Sequence, residues 1–571
     1  MRDWFDVKSI RSFFATSALA VAASGPAYAE PDAGAYLAAR IAIMDYDFAL
    51  SATYLDRALI DDPQNPVLLE ESLRAHFALG EFDQAYGLAD RMIAIGIDSQ
   101  TANFIAMVHA AHTGNWQRIF VLLEQGQSVG PLVDGLAQAW SFVGRGRMTR
   151  AVQSFDEVID SPGLRAFGLS HKALALASVG DFEGADAILS LPPEQGMQRT
   201  RRAALARAEV LSQLGKNDAA ISLLEDFAGS AGDPVFLDKI ARLRSGEVLR
   251  FEFVSGPVEG MAEVFFSVAA AIEGDADDDY TLLYSRAAEA LDPTHSEAII
   301  LSARLLEALG RFDQANETYA KIARDDPIYF KAELGRAAAL DSAGRTDTAI
   351  EVLKALIRNS AEMPDALASL GDMLRRNSDW AAANAAYTRA LATYGPSDPS
   401  RWIVLYTRGI TSERMGNWAD AEADFRAALQ LQPGHPSILN YLGYSLVERR
   451  EKLDEALDMI ARAVEAQPDS GAIVDSLAWV LYRLGRYDEA IIHMVRAAEL
   501  EPLDPIISDH LGDALWAVGR EAEARFQWQR ALSFAPEEKD AIRIRAKLAK
   551  GLDKVLEEEG APPLTVPRDE R

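Results

Sequence analysis

The sequence predicts an all-α fold, a solenoid of antiparallel helix hairpins, on three observations. The phrase GNWADAEADFRAALQLQPGHP at Gly416–Pro436 returns as GRFDQANETYAKIARDDP (Gly310–Pro327), GRYDEAIIHMVRAAELEP (Gly485–Pro502) and GREAEARFQWQRALSFAP (Gly519–Pro536). Each phrase opens on a turn, runs on as an apolar stripe at helical spacing and stops at proline. Taken with what precedes it, each completes a unit of about 34 residues, the length of two short helices and their turns.

The elements begin with the N-terminus. Arg2, Lys8 and Arg11 precede an apolar run, Phe13 to Ala23, followed by Ser24-Gly25-Pro26 and the small-x-small site Ala27-Tyr28-Ala29. This predicts a secretory signal peptide over residues 1–29, cut after Ala29. Asp3 and Asp6 leave its basic region near +1, three basic residues less two acidic ones. The alternative is a signal anchor held at the inner membrane, but the run is about half the roughly 20 residues that a spanning helix needs. The mature chain is expected to be exported and soluble, periplasmic or associated with the outer membrane.

Lys plus Arg number 57 and Asp plus Glu 86, a formal charge of −29. No basic stripe with interleaved aromatics interrupts this acidity, which argues against nucleic acid as a partner. It favours solubility and partners that are basic or apolar. Cysteine is absent, which excludes disulfides, thiol catalysis, Cys-ligated zinc and the acylated cysteine of a lipoprotein.

Within the repeat each position has a mechanical reason. In the unit Trp402 to Pro433, Leu405, Gly409 and Ser412 share one face of a first helix. Gly416 ends that helix, Trp418 starts the second, and Ala421, Phe425 and Ala428 line it. A glycine after the first helix permits the left-handed conformation of a tight reversal, and a small residue at the eighth position lets the two helices approach. Gly371, Gly409, Gly443, Ala478 and Gly512 hold that eighth position, and Ala315, Ala349, Ala383, Ala421, Ala490 and Ala524 are the small residues early in the second helix. Tyr319, Leu353, Tyr387, Phe425, Met494 and Trp528 are the bulky residues that fill the space between helices, and Pro327, Pro433, Pro468, Pro502 and Pro536 break each unit.

This pattern resembles the tetratricopeptide repeat, most closely from His295 to Pro536, where seven units follow one another; the unit Gly434 to Pro468 carries an extra residue around Arg449 to Lys452. Upstream, turns at Gly80, Gly114, Gly146, Gly180 and Gly215 mark more divergent units. The resemblance implies a right-handed superhelical solenoid of about fourteen units. The expected organisation is a divergent N-terminal array over 30–232, an irregular joint over 233–260 that includes FEFVSGP, a C-terminal array over 261–537, a charged capping helix over 538–556 and a flexible tail over 557–571.

No segment is left over for a catalytic domain, and no enzyme and no cofactor is predicted. Among eight histidines the close pair is His109-x-x-His112, which lacks a third ligand and reads as packing. Gly144-Arg145-Gly146 is a repeat turn and Gly443-Tyr444-Ser445 lies inside a helix, so neither is a dinucleotide or nucleophile motif. The run Asp275 to Asp279 lacks the glycine and bidentate glutamate of a calcium loop, with Tyr280 and Arg286 in their places, and reads as a solvated acidic loop.

What remains is surface. The resemblance implies that the second, fifth, ninth and twelfth positions of each unit line a concave groove. In the C-terminal units the candidate partner-binding residues are Tyr406, Asn440, Tyr444, Asp475, Trp479, Tyr482, Asp509, Asp513 and Trp516. Rigid rings beside carboxylates and an amide suit protein contact. A groove of this kind that clamps acidic tails uses Lys, Arg and Asn; Asp, Tyr and Trp here point instead to a protein or peptide with basic and apolar side chains. No small-molecule substrate is evident, and peripheral association with the envelope membrane is compatible with the export signal. Trp479, Tyr482 and Trp516 are equally suited to packing against the neighbouring first helix. The leading reading is a non-enzymatic interaction scaffold of the cell envelope. The alternatives are an enzyme built on Asp475, Asp509 and Asp513, which requires a closed pocket and carboxylates of opposed pKa, and a self-associating structural protein.

Overall fold

The computed structural model describes residues 33–228, 233–359, 363–395 and 398–564. The expected signal peptide and the last residues of the expected tail lie outside them. Among the described residues the regular structure is helical throughout, with thirty-one α-helices and no strand, as the repeat pattern predicts. No helix among them is long and apolar enough to cross a membrane. The chain forms two compact units, Met1–Gly344 and Arg345–Arg571.

The first unit opens with six hairpins: α1 (Ala33–Met44) with α2 (Phe48–Asp61), α3 (Pro66–Leu79) with α4 (Phe82–Ala94), α5 (Gln100–His112) with α6 (Trp116–Glu124), α7 (Pro131–Gly144) with α8 (Met148–Asp160), α9 (Arg165–Ser178) with α10 (Phe182–Leu189), and α11 (Arg201–Gln213) with α12 (Asn217–Ala228). Then follow α13 (Pro234–Arg244), α14 (Pro257–Ile272), α15 (Asp278–Leu291), α16 (Ser296–Ala308), α17 (Phe312–Tyr319) and α18 (Tyr329–Ser342). The turns are where the glycines predict them; Gly80 ends α3 at φ 79°, a conformation that costs glycine nothing. His109 stacks on Tyr86 at 4.4 Å and His112 Nδ1 lies 2.9 Å from the Ala290 carbonyl, so the histidine pair is part of the packing.

This unit departs from an open array. The hairpin α14–α15 lies across the first helices of earlier repeats, α14 against α5, α7 and α9 and α15 against α3 and α5. Gly260 of α14 sits on Trp140 of α7 so closely that a Cβ would meet the ring at 2.5 Å. Phe104 of α5 meets Phe265 at 5.1 Å and Tyr284 at 4.9 Å between centroids, and buried Arg286 donates to the Ala78 carbonyl at 3.0 Å. The face that a tetratricopeptide array would leave concave is here filled by the chain itself, and one apolar core runs from Ala35 to Ala339.

Residues 233–260, expected to be an irregular joint, are not one. They hold α13 and the start of α14, and the segment between them is tied down. Buried Glu209 accepts from the Glu252 and Phe253 N–H groups at 2.9 and 3.0 Å, and Leu249 and Val254 are buried. A coil with its backbone satisfied and its apolar residues inside is a packed element, whatever its shortage of helix formers. The division between units falls at Gly344 instead.

The second unit holds α19 (Thr346–Asn359) and five hairpins: α20 (Pro364–Arg376) with α21 (Trp380–Thr393), α22 (Arg401–Arg414) with α23 (Trp418–Leu431), α24 (Pro436–Arg449) with α25 (Leu453–Ala466), α26 (Gly471–Arg483) with α27 (Tyr487–Leu500), and α28 (Pro505–Ala517) with α29 (Glu521–Ser533). It ends in α30 (Glu538–Lys550) and α31 (Leu552–Glu558). The small-residue rule is visible as geometry. A Cβ on Gly371 would stand 2.5 Å from Tyr387, and one on Gly409 2.7 Å from Phe425, each the bulky residue of the same repeat. The extra residue after α24 is absorbed by two left-handed residues, Arg450 at φ 55° and Lys452 at φ 49°.

Candidate protein-binding groove

First helices of the second unit stand side by side, α24 against α26 and α26 against α28. The nine candidate residues are carried on α22, α24, α26 and α28. Asp475, Trp479, Tyr482, Asp509, Asp513 and Trp516 are buried, whereas Tyr406, Asn440 and Tyr444 are partly exposed.

The buried aromatics are packing. Trp479 lies parallel to Tyr482 at 4.8 Å and to His510 at 3.9 Å, Arg483 covers its ring at 4.7 Å, and its Nε1 donates to Glu448 Oε1 at 2.6 Å. Trp516 rests on Trp528 at 5.3 Å and donates to Asp553 of α31 at 3.1 Å. Of the two roles open to Trp479, Tyr482 and Trp516, they take the one that leaves them about 5% accessible.

The aspartates are occupied by the chain's own cap. Lys547 of α30 is 0% accessible, and its Nζ lies 2.6 to 2.8 Å from both oxygens of Asp509 and both of Asp513. Arg543, one turn earlier, adds a second cation 3.5 Å from Asp513, and Trp528 Nε1 donates to Asp513 at 3.0 Å. Burial, seconded by the neighbouring Asp513 charge, holds the Asp509 carboxyl above its usual range against the pull of Lys547. A buried charge needs its partners, and this cluster supplies them without solvent. A catalytic carboxylate set built on these residues would have to dismantle it. The sequence did contain the signal: Arg543 and Lys547 stand four residues apart, on one face of the helix that follows the last repeat.

Asp475 stands apart from that pair. Its Oδ2 lies 2.8 Å from His510 Nδ1. Although burial opposes a charge on His510, Asp475 and the aspartates behind it hold the imidazole pKa above its usual value. Asp475 Oδ1 has no hydrogen-bonding partner among the described residues, and neither has Asn440 Oδ1 of the preceding repeat. Beside Asn440, Tyr441 meets Tyr406 edge-on at 5.9 Å. Burial raises the phenol pKa values of Tyr406 and Tyr444, so both stay neutral hydroxyls. The open part of the face thus consists of α22 and α24, with two tyrosines and Asn440, while the unpartnered Asp475 Oδ1 lies buried on the neighbouring α26.

The family model for the tetratricopeptide repeat matches residues 300–364, 334–401, 406–471 and 476–538. A TPR repeat-containing protein of Pseudomonas aeruginosa is 30% identical over 187 residues, 32% of this chain and 30% of that protein, so the match spans under a third of the relative. Among solved structures, the APC/C hetero-tetramer Cut9–Hcn1 aligns over 91% of this chain and 96% of its own at 15% identity and a TM-score of 0.38. Yeast Tom70 aligns over 93% and 97% at 13% identity and a TM-score of 0.33. With its recurrent phrase, its paired helices and its eighth-position glycines under the bulky residue of the same repeat, the segment 300–538 of this chain is similar to the tetratricopeptide repeat, and the helix pairing continues outside it.

Proposed function

We propose that this protein is a non-enzymatic interaction scaffold, exported to the bacterial cell envelope, that holds a basic, amphipathic segment of a protein partner along the open first-helix face of α22 and α24. The observation that carries this reading is the cap. Where the same face continues onto α28, it accepts a helix with lysine and arginine one turn apart, Lys547 buried between Asp509 and Asp513. Asn440 Oδ1 and Asp475 Oδ1, acceptors without a donor among the described residues, lie on the neighbouring first helices and add to the acceptor-rich character of this face. The export signal carries the assignment to the envelope.

The test is crosslinking capture from an envelope fraction with the mature chain, Glu30 onward, beside an Asn440→Leu, Tyr444→Ala double variant. Trp479 and Trp516 are unsuitable targets, because replacing them removes packing. The expected result is a defined partner with a basic segment, captured by the wild type, weakened by added salt, and lost in the variant while helical circular dichroism is unchanged. Equal capture by both proteins, or a partner with no basic segment, would overturn the assignment.

A further inference from the structure

We propose that the first unit has a second, separate site: a pocket of about 420 Å³ that binds an aliphatic diamine, two ammonium groups joined by a methylene chain. It lies where α15 crosses the first turns of α3 and α5, with Val129, just before α7, in its lining. Its volume is within the range that holds a small ligand.

Charge selects a dication. The lining holds three carboxylates, Glu70, Glu71 and Asp98, against one cation, Arg74, a balance of −2. Arg74 is held by Glu70, to which its Nε donates at 3.1 Å, and by Thr101, to which Nη2 donates at 3.3 Å. Glu71 and Asp98 have no hydrogen-bond or ion-pair partner among the described residues. The groups around the lining do not restore the balance: Arg40 and Asp279 both act on Glu71, and Asp134 acts on Tyr284. Burial, with the Glu70 and Asp279 charges, holds the Glu71 carboxyl above its usual range against the pull of Arg74 and Arg40, the state of a carboxylate short of positive charge.

The wall selects the stem and the heads. Val67, Ile97, Phe104 and Leu283 line it with apolar surface, against which methylene groups gain by leaving water. Tyr284 meets Phe104 at 4.9 Å and Tyr280 at 5.4 Å between centroids, and aromatic rings attract an ammonium group. Ser99 donates to Glu70 and Gln100 Nε2 to the Val129 carbonyl. What stays open is chiefly acceptors, the Glu71 and Asp98 carboxylates and Gln100 Oε1, against Arg74 Nη1 and one phenol hydrogen of the Tyr280–Tyr284 pair. An ammonium group brings donors and no acceptor. A divalent metal ion would answer the charge but not the apolar wall, and among the described residues no group of three carboxylate or imidazole side chains could hold one. This inference does not depend on the groove of the second unit.

The experiment is calorimetric titration of the full mature chain at low ionic strength with putrescine and cadaverine. Butylamine, with the stem and one charge, and magnesium, with two charges and no stem, are the controls. Saturable one-to-one binding of a diamine is expected, with both controls roughly tenfold weaker or more. Glu71→Gln should weaken diamine binding roughly tenfold or more, and Val67→Trp, which fills the pocket from an exposed position, should abolish it, both with unchanged circular dichroism. Glu465→Gln, the same charge change at an exposed position of the second unit, should leave binding as it is. No saturable binding, binding that survives Val67→Trp, a control that binds as tightly as the diamines, equal losses in Glu71→Gln and Glu465→Gln, or tighter binding of a blocked dilysine peptide would overturn the proposal.

Discussion

Ser378 holds the place in its hairpin that Gly416 holds in the next, and both run through positive φ, 61° and 79°. A side chain in that region is strained, so Ser378→Gly is expected to stabilise the second unit by about 0.5–1 kcal/mol, measured by urea unfolding. At the far end the strain is electrostatic. Lys547→Met removes the cation shared by Asp509 and Asp513, and breaking a buried pair from one side costs about 3–5 kcal/mol. Adding Asp509→Asn and Asp513→Asn to Lys547→Met should restore much of the loss, since no uncompensated charge then remains. A neutral effect of Lys547→Met on unfolding, or no recovery in the triple variant, would show that the ion cluster does not hold α30 in place.

Single elements explain what the sequence disclosed and what it hid. Each hairpin of the second unit was legible because its constraints are local: the small residue and the bulky residue it accommodates lie about sixteen positions apart, as Gly409 and Phe425 do. The placement of α14–α15 was not, since it depends on contacts with α3, α5, α7 and α9 across roughly eighty to more than two hundred residues. One local sign existed: α14 is apolar around most of its circumference, interrupted by the row Glu259, Glu263 and Ser267, and Met261, Ala262, Val264, Phe265 and Val268 are all buried, the mark of a helix enclosed by others. Gly260→Val should therefore loosen this hairpin, raising hydrogen exchange in α14 and α15 and costing about 1–3 kcal/mol from overpacking against Trp140. The groove residues show the same division. Their positions on the first helices were legible, but the cap that buries Asp509 and Asp513 reaches them from thirty-four to thirty-eight residues away.

The same packed elements set an acid limit on the first unit. His171 is buried, and with Nδ1 accepting from Trp140 its proton sits on Nε2; burial pushes its pKa down to about 4. Burial would raise Glu263, but Arg202 and His295 pull it down to about 2. Both folded values lie below the unfolded ones, so both contributions are complete at neutral pH and are lost as pH falls. His171 acts first, from about 6.5 to about 4, and Glu263 from about 4.5 to about 2, each worth roughly 3 kcal/mol. His171→Gln should flatten the first window and leave the second; an unchanged profile above pH 4.5 would show that His171 does not set it.

At the scale of the whole molecule the quantity that matters is charge. A formal charge of −29 repels itself in the compact state, and at about 0.01 M salt the screening length is about 30 Å, so carboxylates on separate repeats still act on one another. Raising salt to about 0.1 M shortens that length to about 10 Å, which relieves long-range repulsion but leaves buried contacts such as Lys547 with Asp513 nearly untouched. Thermal stability is therefore expected to rise by a few degrees over that range. Capture of a basic partner on the face of α22 and α24 should weaken over the same range, because the field that repels the chain from itself is the field that attracts the partner. The two effects have opposite signs and a common origin, so one salt series with two readouts tests both. A melting temperature that fell with salt would mean that exposed ion pairs outweigh the net charge, and the acidity would then have to be explained by something other than partner attraction.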